Sequence, residues 1–399
     1  MKPEFELLIR CCGIARNLPV FGSPTQTTLP NGFDQDLFAN MAVQHKVVAI
    51  ALAGLRKMGI ALKPSVAGTL KAHAMRNRLV WEFILEEAHA VTQALKNEGI
   101  PALVLKGLAS SSELYGDPYI REFNDLDILV NLPDVGPMIS LLAVHGWMAS
   151  DYRKVDLMFG RSSLVQQGHH VTFWKESRLF RMDIYDRIGW EHELFRRDDI
   201  DAIFGRAIVL DTPAGGIPAP ILADHAPLIV AHGIQHAWCL LHWLLDAAAL
   251  LALKDQSLHR TFAARSRSLD MQCQLKLTCD LVRRLYPIDL PPAIESSTFC
   301  VQGLDKAVDF AYAQLKTGGR EISSIRNILA FQYRYSFPLL RNSSEKAASL
   351  FQLLKIPPQD METMLLPRRL VFLHIPLRPF LFVSWRIKRR REKQAVLNG

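Results

Sequence analysis

Apolar residues recur at helical spacing through the first quarter of the chain. The pattern runs over residues 36–58 and again over residues 66–98, the second stretch without a proline. Apolar positions three and four residues apart form one helix face that can pack on a core. Gly99, Ile100 and Pro101 then interrupt the pattern. The spacing therefore predicts an N-terminal helical region over residues 1–98.

Short apolar runs replace this spacing over the next hundred residues. Such runs, bounded by turn residues, are typical of strands that are buried in a sheet. The strand candidates are residues 102–105, 126–130, 147–152, 169–174, 179–185 and 207–210, and the helix candidate is 133–145. Short strands combined with few helices predict a sheet domain over residues 99–211, of the α+β or the α/β type.

Proline and glycine are concentrated in residues 212–220, which predicts a linker. Asp224 stands where an N-cap is expected, ahead of an apolar helix that runs to about Lys254. Helical spacing continues further, so we expect a C-terminal helical domain over residues 212–365. Residues 366–399 remain as a separate apolar and basic tail.

The positive charge of the chain is concentrated in this tail. The formal net charge is +8, and residues 384–399 hold six Lys or Arg and one Glu. The basic balance therefore does not indicate specific nucleic-acid binding by the folded body. Two interpretations of the tail stay open: peripheral contact with an anionic membrane surface, or a docked element that ends in a solvated basic segment.

Cysteine spacing and hydropathy give an expectation for the cellular compartment of the protein. The six cysteines form no CxxC pair, which is typical of reduced thiols in a cytoplasmic protein. The first residues include Glu4 and Glu6 and show no apolar signal region, and we find no apolar stretch long enough to span a membrane. We therefore expect a cytoplasmic chain, with contact to the inner membrane surface only through its tail.

Three Asp-x-Asp patterns occur, and their surroundings separate them. Asp125 and Asp127 lead into an apolar strand, whereas the pairs at 34/36 and 199/201 are typical of helix starts. Side chains alternate faces along a strand, so Asp125 and Asp127 point the same way. Neighbouring carboxylates repel each other unless a cation lies between them, and Mg²⁺ is the oxygen-preferring cation that phosphoryl transfer commonly uses.

A third carboxylate is expected on a neighbouring strand. Asp183 lies between two apolar residues and fits this position, and Asp186 is the alternative at the strand end. Lys106 and Arg121 flank the carboxylates in the chain. They either hold the phosphates of a nucleotide or are solvated loop charges.

Polar residues interrupt the apolar stretch between residues 224 and 254. On a single helix, His232, His236 and Asp246 would share one stripe. Three interpretations stay open: substrate contacts that face a cleft, a buried network, or metal ligands. His169 and His170 pose a similar choice between base or acceptor contacts and a polar strand edge.

The order of these motifs resembles the uncharacterised nucleotidyltransferase family of the polymerase-beta-type superfamily, often described as NTP transferase family 5. The residues that carry the resemblance are Leu105, Lys106, Gly107, Tyr115, Gly116, Arg121, Asp125, Asp127, His232, His236, Trp238 and Asp246. The family implies a polymerase-beta-like mixed sheet between helical regions, an NTP substrate, and two Mg²⁺ ions held by Asp125, Asp127 and Asp183. It also implies that Lys106, Gly107 and Arg121 bind the phosphates.

Two departures from the superfamily pattern concern the substrate side. The superfamily usually has Gly-Ser or Gly-Gly before its Asp-x-Asp, whereas this chain has Lys106, Gly107 and Leu108 further upstream. The ammonium of Lys106 is the expected substitute for the missing serine as a phosphate contact. Tyr185 stands where a histidine often follows the third carboxylate.

The sequence therefore predicts an enzyme that moves a nucleotidyl or related phosphate-linked group from an NTP. The acceptor would be a peptide, a sugar or a small molecule, because similar proteins tailor natural products or surface polysaccharides. The alternative is a non-catalytic nucleotide-binding module with a regulatory or antitoxin-like role, which the missing serine favours. A membrane-associated scaffold rests on the tail alone.

Overall fold

The computed structural model describes most of the chain. The described residues are 2–21, 28–117, 119–131, 135–149, 170–175, 180–185, 195, 197–299, 301–318, 331–340, 343–354 and parts of 364–384. His169, the alternative carboxylate Asp186 and the basic residues 386–393 lie outside this part, as does the side chain of His170.

The described residues of the N-terminal region form the helices α1 (Pro3–Ala15), α2 (Gln35–Gln44), α3 (Val48–Met58) and α4 (Pro64–Asn97). Asp34 caps α2 by accepting a hydrogen bond from the Leu37 backbone N–H at 2.9 Å. The helical spacing over residues 36–58 belongs to two helices, because the chain turns at Lys46, which has a φ of +55°.

A five-stranded sheet follows, with β1 (Ala102–Leu105), β2 (Asp125–Val130), β3 (Met148–Ala149), β4 (His170–Trp174) and β5 (Arg181–Tyr185) in the order β1-β2-β5-β4-β3. β2 and β5 pair in parallel, and the other neighbours are antiparallel. The connections include α5 (Gly107–Ser110), a π-helical turn (Ser111–Tyr115) and α6 (Val135–Val144). A mixed sheet surrounded by helices confirms the α+β fold class.

The sheet has one apolar face and one face that carries the carboxylates. Leu126, Ile128 and Val130 of β2 pack with side chains of α4 and α6, among them Ile84 and Met138. Because side chains alternate along a strand, Asp125 and Asp127 lie on the opposite face. That face therefore points away from α4 and α6.

The segment after the sheet contains α7 (Arg197–Gly205), β6 (Ile208–Leu210), β7 (Ile217–Ala219), α8 (Leu222–Gln235) and α9 (Leu241–Ala252). The stretch predicted as a linker forms part of a hairpin, because β6 and β7 pair antiparallel. Further helices are α10 (Gln256–Ser268), α11 (Gln272–Leu285), α12 (Pro292–Glu295), α13 (Leu304–Thr317), α14 (Phe337–Leu339) and α15 (Ser343–Leu354).

The apolar helix predicted from Asp224 to Lys254 is wrong in two respects. It is two helices, separated by a turn in which Ala237 and Trp238 both have positive φ. The helix also begins before Asp224, whose buried carboxylate instead pairs with Arg206 at 2.8 Å and Arg265 at 3.1 Å.

The N- and C-terminal helices contribute to one hydrophobic core. The same cluster includes Phe5 and Ile50 as well as Leu244 and Leu281. The segment boundaries inferred from the sequence stay predictions. In the part of the chain that the structure describes, no helix is both long and apolar enough to cross a membrane.

Candidate active site

The sheet brings together the three carboxylates selected from the sequence. In the parallel pairing of β2 and β5, Asp127 lies directly beside Asp183, and Asp125 lies beside Arg181. Asp127 and Asp183 are buried, with 5% and 2% of their surface exposed, and Asp125 is half-buried. Three carboxylates of adjacent strands therefore share the face that is turned away from α4 and α6.

Asp127 is buried beside the two other carboxylates of this face. Burial raises the pKa of its carboxyl to about 6, and the carboxylates of Asp125 and Asp183 add to this rise. Lys106 opposes the shift, because its Nζ lies 3.1 Å from Asp127 Oδ1. A further cation at this face would relieve the remaining repulsion.

Lys106 reaches Asp127 from a strained backbone. Its φ of +51° and ψ of −123° are rare for a residue with a side chain, and such strain costs on the order of 1–3 kcal/mol. The Lys106 backbone N–H donates to Nε2 of the buried His225 at 2.8 Å. Its Nζ also lies 2.9 Å from the Tyr185 hydroxyl oxygen. The surroundings therefore hold both the backbone and the ammonium of Lys106 in place.

Gly107 begins α5 immediately after Lys106. A Cβ at this position would lie 2.8 Å from the Cβ and Cγ atoms of Phe123. Close packing is thus a sufficient reason for glycine here, and the phosphate contact predicted for Gly107 stays a prediction.

Arg181 and Thr172 also contact the carboxylates, although no sequence motif singled out either residue. Arg181 Nε lies 3.1 Å from Asp183 Oδ2, and its Nη2 lies 3.4 Å from Asp125 Oδ2. The Thr172 hydroxyl donates to Asp183 Oδ1 at 2.6 Å. Strand alternation would have identified Arg181, because it lies two residues before Asp183 on the same face. Half of the Arg181 side chain remains exposed to solvent.

Arg121 and Asp246 form a buried ion pair. Arg121 Nη2 donates to Asp246 Oδ2 at 2.6 Å, and Nε lies 3.0 Å from both carboxylate oxygens. The third guanidinium nitrogen donates to the Glu122 carbonyl at 3.1 Å, and the Tyr115 hydroxyl donates to Asp246 at 2.5 Å. For Asp246 this geometry favours the buried network among the interpretations left open. The phosphate contact of Arg121 stays a prediction.

Glu122 connects the same loop to the N-terminal helices. Its carboxylate accepts the Val48 backbone N–H at 2.7 Å, at the start of α3, and lies 3.5 Å from His73 of α4. Burial raises the pKa of this carboxyl to about 7, although the backbone N–H groups of Val48 and Ala49 lower it. Arg121 and Glu122 thus attach the segment before Asp125 to both helical regions.

His232 and His236 lie in an aromatic cluster with Trp243. The His232 and His236 ring centroids are 4.7 Å apart, and the His236 ring stacks on Trp243 at 4.8 Å. Burial and the charge of Lys106 lower the pKa of both histidines. The pKa of His236 falls to about 4, although part of this residue is exposed to solvent. Two neutral rings therefore lie near Lys106, whereas Asp246 faces Arg121.

The sheet face that carries Asp125, Asp127 and Asp183 is called the acidic face. Its carboxylate oxygens fit an oxygen-preferring divalent cation. Burial is the main cause of the raised pKa of Asp127, and the nearby carboxylates of Asp125 and Asp183 add to it. Lys106 and Arg181 lie against the carboxylates in this structure. Among the described residues, no group of three or more His, Cys, Asp or Glu side chains is gathered as a ready metal site.

Comparison with known families agrees with this geometry. A family model described as an uncharacterised nucleotidyltransferase matches residues 31–287, more than half of the chain. The chain therefore belongs to this nucleotidyltransferase family. No curated protein matches it.

Proposed function

We propose that this member of the nucleotidyltransferase family transfers a nucleotidyl group from a Mg²⁺–NTP complex to a hydroxyl group. The acceptor hydroxyl would belong to a peptide, a sugar or a small molecule. The observation that carries the proposal is the meeting of Asp125, Asp127 and Asp183 on one sheet face, next to two cations.

Asp125, Asp127 and Asp183 would hold the metal ions. The positive charge held there would offset the negative charge that develops on the phosphate oxygens during transfer. A carboxylate oxygen of Asp183 would take the proton of the acceptor hydroxyl. The hydroxyl oxygen then bonds to the α-phosphorus, and the bond to the β-phosphate breaks with release of pyrophosphate.

Lys106 and Arg181 would hold the phosphates. Each already contacts a carboxylate of the acidic face, so a short side-chain rotation would turn its charge toward a phosphate oxygen. The neutral rings of His232 and His236 suit an uncharged part of the substrate. Arg121 would act through the loop that it positions.

The test compares the wild type with Asp125→Asn/Asp127→Asn, using α-labelled NTPs and a panel of peptide and sugar acceptors. We expect labelled product and pyrophosphate from the wild type and none from the variant. Asp198→Asn/Asp201→Asn is the matched control, because it removes two exposed carboxylates of α7 that lie far in the sequence from Asp125 and Asp127. Turnover that survives the Asp125/Asp127 change refutes the proposal. Tight Mg²⁺–NTP binding without product supports a binding module instead.

A further inference from the structure

Lys46 occupies the turn between α2 and α3 with a φ of +55°. A residue with a side chain adopts this left-handed conformation at a cost, unless its surroundings impose it. Such strained positions cluster at ligand-binding sites and persist only where neighbouring groups hold the backbone. The contacts on either side of Lys46 therefore matter.

Buried groups fix the backbone on both sides of Lys46. His45 Nδ1 accepts the Leu241 backbone N–H at 3.2 Å, and the His45 carbonyl accepts the His242 backbone N–H. After the turn, the Val48 backbone N–H donates to the Glu122 carboxylate at 2.7 Å. The turn is therefore held between α9 and the loop that leads to Asp125.

The side chain of Lys46 is half-buried and close to the acidic face. Burial lowers the pKa of its ammonium, whereas the charge of Asp125 raises it and that of Arg121 lowers it. Within the part of the chain that the structure describes, its Nζ makes no hydrogen bond or ion pair. A partly buried ammonium without such a partner is costly, and an anionic ligand would compensate it.

The other cations of the site are already paired. Lys106 lies against Asp127, Arg181 lies against Asp125 and Asp183, and Arg121 is paired with Asp246. Lys46 therefore differs from these three, because its ammonium can meet a ligand without first leaving a carboxylate partner.

We propose that Lys46 binds an anionic phosphate group of a substrate at the Asp125 end of the acidic face. The inference rests on the proposed function, since it takes the acidic face as the substrate site. The phosphate can come from the nucleotide or from a phosphorylated acceptor, and both sources present the same oxygens to the ammonium.

The experiment measures dissociation constants by calorimetry for Lys46→Met and Lys46→Arg. The probes are the four common NTPs and pyrophosphate with Mg²⁺, and a sugar phosphate beside the unphosphorylated sugar. Lys71→Met is the matched control, because Lys71 is an exposed lysine of α4. A charge-assisted hydrogen bond predicts affinity about 10- to 100-fold weaker in Lys46→Met, with most of it kept in Lys46→Arg.

The pattern of losses identifies the source of the phosphate. Weaker binding of NTPs and pyrophosphate assigns Lys46 to the nucleotide, whereas a loss confined to the sugar phosphate assigns it to the acceptor. Unchanged affinity for every probe overturns the proposal. Calorimetry measures binding without turnover. The result for the Lys46 variants therefore does not depend on whether Asp125→Asn/Asp127→Asn has lost nucleotidyl transfer.

Lys46→Gly separates binding from folding. Glycine tolerates positive φ and removes the poorly compensated charge, so the urea midpoint should rise while phosphate affinity falls. A lysine with a purely structural role would instead lower the midpoint when it is replaced by glycine, which would contradict the proposal.

Discussion

Breaking the buried ion pair between Arg121 and Asp246 should be among the most damaging single changes to stability. Asp246→Leu leaves the Arg121 guanidinium buried, with 5% of its side chain exposed, and without its carboxylate. Removing one partner of a buried pair costs about 3–5 kcal/mol. The Tyr115 hydroxyl also loses its acceptor, which adds about 1 kcal/mol.

The double variant Arg121→Met/Asp246→Leu should behave differently from the single one. It removes both charges and fills the space with apolar atoms, so we expect its free energy of unfolding within about 2 kcal/mol of the wild type. Urea unfolding of the wild type, both single variants and the double variant completes the cycle. A loss below about 1 kcal/mol in Asp246→Leu, or simple additivity of the two single changes, refutes the reasoning.

The same double variant tests the phosphate contact predicted for Arg121. If Arg121 only positions the loop, the refolded double variant should bind Mg²⁺–NTP with nearly wild-type affinity. Affinity about tenfold weaker or worse in a stable double variant would instead support direct contact with phosphate.

Two further predictions concern neighbouring positions. Gly107→Ala should lower the free energy of unfolding, measured in urea, by about 1–3 kcal/mol, because the new Cβ meets Phe123 at 2.8 Å. Gly68→Ala in α4 is the control, because no atom lies within 4 Å of a Cβ there, and its stability should be unchanged or higher. Burial raises the pKa of Glu122 from 4.5 to about 7, so the folded protein holds this proton more tightly than the unfolded chain. The resulting stabilisation of up to about 3 kcal/mol is fully present below pH 4.5 and disappears as the pH rises to 7. Glu122→Gln should flatten this decline in urea unfolding between pH 4.5 and 8, and equal declines in both proteins would contradict the assignment.

Strand alternation was sufficient to place Asp125 and Asp127 on one face. These two residues share a face because they lie two positions apart on a strand, whereas Asp183 on β5 was selected because it lies between two apolar residues. The sequence could not show that Asp183 pairs in register with Asp127, because pairing between distant strands depends on the whole sheet.

The break between α8 and α9 was not predicted, because the apolar spacing continues through it. The buried Trp238 ring packs back over Gly233, where a side chain would collide with it. The glycine at position 233 is therefore a sequence feature that this turn requires. The turn separates the two histidines from Asp246, which the single-helix interpretation had placed on one stripe.

The sequence by itself determined that Asp125 and Asp127 share one strand face and which family the chain resembles, because both depend on local periodicity and short motifs. Only the tertiary structure decided how the charges are paired. Arg121 meets Asp246 across 125 residues, and the Lys46 turn is held by groups from α9 and from the loop before β2. These pairings depend on how the helices pack around one shared core, and no local pattern records that.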